Sequence, residues 1–159
     1  MTGSTGCLFV YTCPSSLRAA ADRAIGTIIA SSAGVDWSAR DGACTAIGDW
    51  TGRPGSAAAL AGALRSLGAV TFDVTEDPGP GYDGERFSYA PGLGLFRAAT
   101  NAVGDVVVDE NQLAAAVRDS PNAEALRERL ARLLGRPWDD VLEPLRMRAW
   151  VPDRAAAAG

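Results

Sequence analysis

The chain has 159 residues, a net charge of −4 and 47 % hydrophobic residues, which suits one soluble globular domain. It contains no histidine and no lysine, so all 15 basic residues are arginines. The missing histidine excludes Ser-His-Asp and Cys-His catalytic devices and histidine-ligated metal sites, and the missing lysine excludes a P-loop and a Schiff-base enzyme. We therefore expect no catalytic residue, no cofactor and no metal.

Charge and apolar patterning narrow the classes of partner. The arginine-rich segment 127–136 is interleaved with Leu and Glu at helical spacing, which indicates a solvated helix face rather than a nucleic-acid site. No apolar run reaches the roughly 20 residues that a bilayer requires, and no signal-peptide pattern opens the chain. We expect no membrane and a cytoplasmic location. Cys7, Cys13 and Cys44 form no C-x-x-C pair and are expected to be structural core residues.

The first half of the chain alternates strand and helix patterns in the order β-α-β-β-α-β. Asp41-Gly42 is a two-residue hairpin signal between the second and third strands. This order predicts a ferredoxin-like plait over residues 7–77. The strand patterns cover residues 7–12, 35–40, 43–50 and 70–75.

Two amphipathic helices connect these strands. Ser15 or Ser16 is the expected N-cap of the first helix, which is expected to end at Gly34. Ser56 is the expected N-cap of the second, and Gly68 ends it.

Residues 78–108 are predicted to form a loop and a β-meander that extends the sheet rather than covering its open face. Strand patterns cover 87–90, 93–99 and 106–108. Three helices are predicted over 109–150. The first begins at Asp109, which is expected to form a capping box with Gln112. The second begins at Asn122, and the third begins near Pro137, after Gly135.

The apolar faces of these helices are expected to point inward. Leu113, Ala116 and Val117 form the first of these faces. The faces of the second and third consist of Leu126, Leu130, Leu133 and Leu134, and of Trp138, Leu142 and Leu145.

The predicted fold is α+β, a ferredoxin-like βαββαβ plait extended by a β-meander and C-terminal helices. We expect residues 7–150 to form a single domain between a flexible N-terminus, residues 1–6, and a flexible tail, residues 151–159.

The irregular segment 76–86 (EDPGPGYDGER) is the first candidate interaction surface, since long ordered loops often carry recognition. Its carboxylates could instead perform acid/base work or hold a cation. A purely structural interpretation makes it a turn in which Arg86 pairs with Glu76 or Glu85. The candidate residues are Glu76, Asp77, Tyr82, Asp83, Glu85 and Arg86.

The segment RMRAWVPDR is the second candidate surface. Trp150 lies among Arg146, Arg148 and Arg154, a composition that is favoured at protein interfaces. The alternative is a clamp that folds the C-terminus back onto its own domain.

Several motifs, VTEDP, DGERF, the Tyr-Ala-Pro-Gly hairpin, VVVDE and LGRPWDDVLEPLR, resemble those of an actinobacterial family of proteins of about this length. That family is catalogued only as a domain of unknown function, and the resemblance covers about residues 6–150. The resemblance implies a location in the cytoplasm of an actinobacterium. It also implies a role in fatty-acid or acyl-CoA metabolism, since the genes of this family are expected near genes of fatty-acid synthesis.

Together these observations predict a non-catalytic accessory or regulatory protein that acts by protein–protein interaction, as a homo-oligomer or as a subunit of a larger metabolic enzyme complex. The alternative is a small-molecule-binding regulatory module with a pocket between sheet and meander. A third hypothesis is an enzyme that uses carboxylates and arginine alone.

Overall fold

The computed structural model describes residues 3–30 and 35–150, apart from the side chains of Arg40, Ala149 and Trp150. Within these residues, seven strands form one sheet that is accompanied by five α-helices, so the class is mixed α+β, as predicted. The strands are β1 (Ser4–Pro14), β2 (Asp36–Arg40), β3 (Ala43–Gly52), β4 (Thr71–Glu76), β5 (Gly84–Ala90), β6 (Gly94–Thr100) and β7 (Val106–Val107). The helices are α1 (Arg18–Ile28), α2 (Ser56–Ser66), α3 (Glu110–Asp119), α4 (Ala123–Leu133) and α5 (Arg136–Trp150).

The sheet has the strand order β2-β3-β1-β4-β5-β6-β7, and all neighbouring strands are antiparallel. β5, β6 and β7 continue it beyond β4, which is the extension expected of the meander. Ser4 pairs with Gly52 of β3, so residues 4–6, which we expected to be flexible, belong to β1. Met1, Thr2 and the expected flexible tail, residues 151–159, lie outside the described residues.

One face of the sheet packs against α1 and α2 to form the main core. Ile25 of α1 and Leu60 of α2 are buried against strand residues such as Phe72. A β-bulge after Val10 shifts the register of β1, so that Cys13 returns to this face opposite its partner Cys44. Both thiols are buried, as predicted. Cys7 lies outside this core and is only half-buried. The next residue, Leu8, faces the core, and adjacent side chains on a strand face opposite sides of the sheet.

The other face carries a second, smaller cluster, which is formed with α5. Trp138 and Leu142 are buried against Tyr11 and Phe96, and Leu145 packs at its edge, as predicted. The Trp138 indole also donates a hydrogen bond to a backbone oxygen of β6 at 2.9 Å. Ile47 of β3 lies on this face beyond the cluster and is 44 % exposed.

Several local signals are confirmed. Asp41 and Gly42 have φ angles of 51° and 80°, the left-handed pair that a type I′ hairpin requires. Asp109 and Gln112 form the predicted capping box, and Asn122 caps α4 through the Ala125 N–H.

The predicted boundaries of α1 and α2 are wrong, and α1 begins after Leu17 without a side-chain cap. Ser56 is the first residue of α2 rather than its N-cap, which is Gly55. Ser15 does not cap α1, and its hydroxyl donates to the Gly42 oxygen at 2.8 Å. α1 ends at Ile28, before the segment 31–34 that lies outside the described residues.

The C-terminal helices differ most from expectation. α3 buries Ala116 but leaves Leu113 and Val117 exposed, and α4 buries none of its residues. The third helix begins near Pro137, as predicted, and as the 15-residue α5 it continues through Pro144.

Candidate functional site

Asp73 lies at the centre of a buried polar cluster between the sheet and α5. Its carboxylate accepts two hydrogen bonds from Arg146 of α5, at 3.0 Å from Nε and 2.6 Å from Nη2. The Tyr11 hydroxyl donates to the same oxygen at 2.9 Å, and the Ser88 hydroxyl donates to the other. Asp73 is 6 % exposed, and its buried carboxylate is stable here because both oxygens are hydrogen-bonded and an arginine balances its charge.

Asp139 joins a second arginine to this cluster. Its Oδ1 accepts hydrogen bonds from Arg86 Nη2 at 2.6 Å and from Arg146 Nη1 at 2.9 Å. Arg86 Nε also donates to Ser88 at 3.1 Å, and its guanidinium lies 5.7 Å from the centre of the Phe96 ring. The cluster therefore ties α5 to β4 and β5 through two arginines and two aspartates whose charges sum to zero.

The protonation states in the cluster follow from this geometry. Burial alone would raise the pKa of the Asp139 carboxyl, but hydrogen bonds from Arg86 and Arg146 outweigh it and hold the pKa below its ordinary value. Burial and the charge of Asp73 raise the pKa of the Tyr11 hydroxyl above its ordinary value, although Arg146 opposes this. Tyr11 thus remains a neutral hydrogen-bond donor at neutral pH, and the cluster acts as a structural tie.

A cavity of about 450 Å³ opens beside the cluster; we call it the α5 cavity. Asp73 and Arg146 border it, and most of the rest of its wall is apolar. The remaining lining residues are Phe9, Tyr11, Ile47, Thr75, Arg86 and Met147.

The predicted loop residues do not form one site. Glu76 is buried and lies at the N-terminus of α2, where its carboxylate accepts the backbone N–H groups of Gly55 at 2.8 Å and Ala57 at 3.0 Å. The hydroxyl of Ser4 donates to it at 2.7 Å. Asp77 accepts a hydrogen bond from the Thr5 hydroxyl at 2.6 Å. Glu76 therefore performs the capping that we had assigned to Ser56.

Tyr82 closes the turn in the loop. Its backbone exchanges hydrogen bonds with that of Gly79, at 3.1 and 3.2 Å. A Cβ atom on Gly79 would lie 2.2 Å from the end of the Tyr82 ring, so a larger residue there would displace the half-exposed Tyr82 side chain.

Glu85 and Arg86 point away from each other, since they are adjacent on a strand. Glu85 pairs with Arg97 of β6, and with Asp83 it borders a cleft of about 880 Å³ between β6 and the C-terminal helices. The expected pairing of Arg86 with Glu76 or Glu85 is wrong, because Arg86 lies on the α5 face and meets Asp139.

The second predicted surface is divided as well. Arg146 belongs to the buried cluster, whereas Arg148 is exposed. Trp150 is the last residue of α5, and its side chain lies outside the described part of the chain, as does Arg154.

Sequence reasoning missed Asp73, Asp139, Tyr11 and Ser88. Asp73 was not singled out, because nothing local in the strand pattern 70–75 indicates that α5 covers that face. A signal was present in α5, where Asp139 and Arg146 are seven residues apart and share the face of Leu142.

The described residues contain neither a metal-binding cluster nor a membrane-spanning helix. No cluster of three or more His, Cys, Asp or Glu side chains is arranged to hold a metal ion. In residues 3–30 and 35–150, no helix combines the length and apolarity needed to cross a bilayer.

The fold and the cluster define a mixed α+β protein with one antiparallel sheet, packed against α1 and α2 on one face and tied to α5 by buried ion pairs on the other. The chain belongs to the family described as protein of unknown function (DUF3145), whose profile matches residues 7–152. No curated protein and no solved structure matches it.

Proposed function

We propose that the protein is a non-catalytic accessory or regulatory protein that acts by binding another protein. The observation that carries this proposal is the apolar surface of α3. Leu113 and Val117 are one helical turn apart on the same face, and they are 42 % and 65 % exposed.

An amphipathic helix usually gains its stability by burying its apolar face against the rest of the domain. In α3, Ala116 is buried, while the larger side chains beside it contact solvent. Covering Leu113 and Val117 with a partner would contribute about 1 kcal/mol for Leu113 and about 1–2 kcal/mol for Val117, since full burial of a Leu or Val contributes about 1.5–3 kcal/mol and these residues are only partly exposed. The partner we propose is a protein with an apolar helix or strand surface, including a second copy of this chain.

The chemistry of the chain supports a binding role over a catalytic one. Histidine and lysine are absent from the sequence, and the buried arginines and aspartates neutralise one another. The net charge of −4 disfavours nucleic acid as the partner.

The experiment compares three tagged proteins in a pull-down from a lysate of the source organism, with size exclusion and light scattering on the purified samples. Wild type should recover one protein in stoichiometric amount or self-associate. A Leu113→Ser/Val117→Ser variant should lose that association. Val103→Ser, at an 80 % exposed turn position, is the matched control and should keep it. A wild type that stays monomeric and recovers nothing, or a double variant that binds normally, would overturn the proposal.

We extend the proposal to the setting. The family resemblance supports an actinobacterial cytoplasm and a complex of fatty-acid or acyl-CoA metabolism. We also propose that the N-terminal half has the ferredoxin-like plait fold. The strand order β2-β3-β1-β4, with α1 and α2 packed against one face, supports this.

A small-molecule-binding regulatory module is the second candidate. It is favoured by the 880 Å³ cleft, which is lined by Arg97, Arg129 and Arg132 as well as carboxylates. Thermal unfolding with a panel of metabolites, including acyl-CoA and amino acids, tests it. A ligand-dependent rise in Tm that Arg129→Gln abolishes would support this function, and a flat panel would count against it.

A further inference from the structure

We propose that the open edge of β6 is a docking site for an extended segment of the partner protein, which adds a strand to the sheet inside the cleft of about 880 Å³. This inference rests on the protein-binding function proposed above and names the element of the partner that binds. Gln112 and Ala116 of α3 line the cleft, so a partner that covers Leu113 and Val117 of the same helix lies beside it.

The lining of the cleft indicates that it follows the edge of a strand. Adjacent side chains of a strand face opposite sides of a sheet, so a cavity over one face is lined by alternate residues. The α5 cavity has this pattern, with Phe9 and Tyr11 of β1 in its wall. The cleft is instead bordered by consecutive residues of β6, namely Leu95, Phe96, Arg97, Ala98 and Ala99.

Most of this edge has no strand beside it. β7 is two residues long and pairs with Ala99 and Thr100 of β6. The chain then enters α3 at Glu110, before it can continue along the rest of β6. Within the part of the chain that the structure describes, no strand therefore lies on the outer side of residues 94–98.

The sheet register shows which backbone groups face outward. Asn101 donates its backbone N–H to the Asp105 oxygen at 3.0 Å, on the β7 side of the chain. Every second residue of an antiparallel strand points its N–H and C=O to the same side, and β6 pairs with β5 and β7 without a register shift. Leu95 and Arg97 accordingly point their backbone groups outward, where no backbone group of the described residues pairs with them.

Unpaired backbone groups at a strand edge make it a template for another extended chain. The free stretch, residues 94–98, spans roughly 17 Å at about 3.4 Å per residue, which suits a segment of about five residues. We expect a single extended segment there rather than β6 of a second copy, because that β6 would bring its own α3 and α4 against the walls of the cleft.

The two sides of the edge define the chemistry of the segment. On the α5 side, Phe96, Ala98 and Trp138 belong to the apolar cluster, and the Phe96 and Trp138 rings are 5.1 Å apart. On the other side, Arg97 pairs with Glu85. A strand between them places alternate side chains on the two sides, so the segment alternates apolar and polar residues.

The test begins with a random library of twelve-residue peptides displayed on phage, which is selected against the full chain. Each selected peptide is synthesised and titrated into the 15N-labelled protein, followed in amide NMR spectra. We expect saturable shifts at residues 95–99 and slower hydrogen exchange of the Leu95 and Arg97 amides in the complex.

N-methylated peptides test whether the backbone makes the contact. Two versions of each peptide carry N-methyl groups on alternate amides, in the two possible phases. The phase that faces β6 should weaken binding about tenfold or more, because it removes the donors to the strand. The other phase should change the affinity by less than about threefold.

Two substitutions at one position locate the docking site on the edge. Arg97→Pro removes an outward N–H, so the hydrogen bonds between β5 and β6 remain while the proline ring blocks the added strand. It should weaken peptide binding about tenfold or more. Arg97→Ala is the matched control, because it loses the same ion pair with Glu85 but keeps the N–H, and it should bind as the wild type does.

Three results would overturn the proposal: a selection without binders at residues 95–99, equal binding of both N-methylated versions, or equal affinity of Arg97→Pro and Arg97→Ala. The pull-down separates this inference from the function on which it rests. A partner protein that Arg97→Pro recovers as well as Arg97→Ala does, but that Leu113→Ser/Val117→Ser loses, would refute strand addition and leave the protein-binding function standing.

Discussion

Replacing Asp73 by asparagine removes the negative charge at the centre of the buried cluster while conserving the shape of the side chain. In the wild type this carboxylate accepts hydrogen bonds from three side chains, and its side chain is 8 % exposed. The asparagine side chain would place its NH₂ group where one of the two carboxylate oxygens lies now. The donors that face that oxygen would then lose their acceptor. Arg146, which is 25 % exposed, would lose its closest negative partner.

The expected loss of folding stability can be taken from other buried ion pairs. Removing one partner of a buried ion pair costs about 3–5 kcal/mol, because the remaining charge stays desolvated. Asparagine keeps one acceptor oxygen and Arg146 keeps Asp139, so we expect the lower end, about 3 kcal/mol. For a chain of this length, that loss lowers Tm by roughly 10 °C.

The assay is urea unfolding followed by tryptophan fluorescence, since Trp138 lies beside the cluster. Glu143→Gln is the matched control, because Glu143 contacts the same arginine at 3.4 Å but is 62 % exposed. Its loss should change the free energy of unfolding by less than about 0.5 kcal/mol. If Asp73→Asn unfolds at the same urea concentration as Glu143→Gln, the cluster does not hold α5 as described.

Two further predictions concern groups away from α5. Glu76→Gln should lower the free energy of unfolding by about 2 kcal/mol, because it weakens the cap of α2. The control is Glu85→Gln on the surface, which should lower it by less than about 0.5 kcal/mol in the same urea experiment. Burial, followed by the hydrogen bond and charge of Asp49, raises the pKa of Cys7 to about 11. At pH 8 this leaves roughly a hundredfold less thiolate than a free cysteine has, so Cys7 should react slowly with iodoacetamide. The reaction should become faster as the pH rises towards 11, and it should be faster in Asp49→Asn than in the wild type. Mass spectrometry of Cys7 alkylation checks this, and a rate equal to that of a free cysteine would contradict it.

Local interactions explain the accurate part of the sequence analysis. The Asp41-Gly42 turn depends on the conformations of two adjacent residues, and the Asp109–Gln112 box joins groups three residues apart. Such features form in any chain with these residues, so the pattern alone predicts them.

The candidate site depended on contacts that no local pattern records. Arg86 was expected to pair with carboxylates near it in the chain, but it pairs with Asp139, 53 residues away. Leu113 and Val117 have the helical spacing of a buried face, yet the structure leaves them exposed because α3 meets the domain through Ala116.

By itself, the sequence determined the mixed α+β class, the Asp41-Gly42 turn, the caps of α3 and α4, and the absence of histidine and lysine chemistry. The tertiary structure alone decided which carboxylate meets which arginine. The physical reason is that a strand presents alternate residues to opposite faces, so adjacent residues such as Glu85 and Arg86 meet different partners. Those partners are chosen by the sheet register and by the helix that covers each face, and both are set by packing across the whole domain.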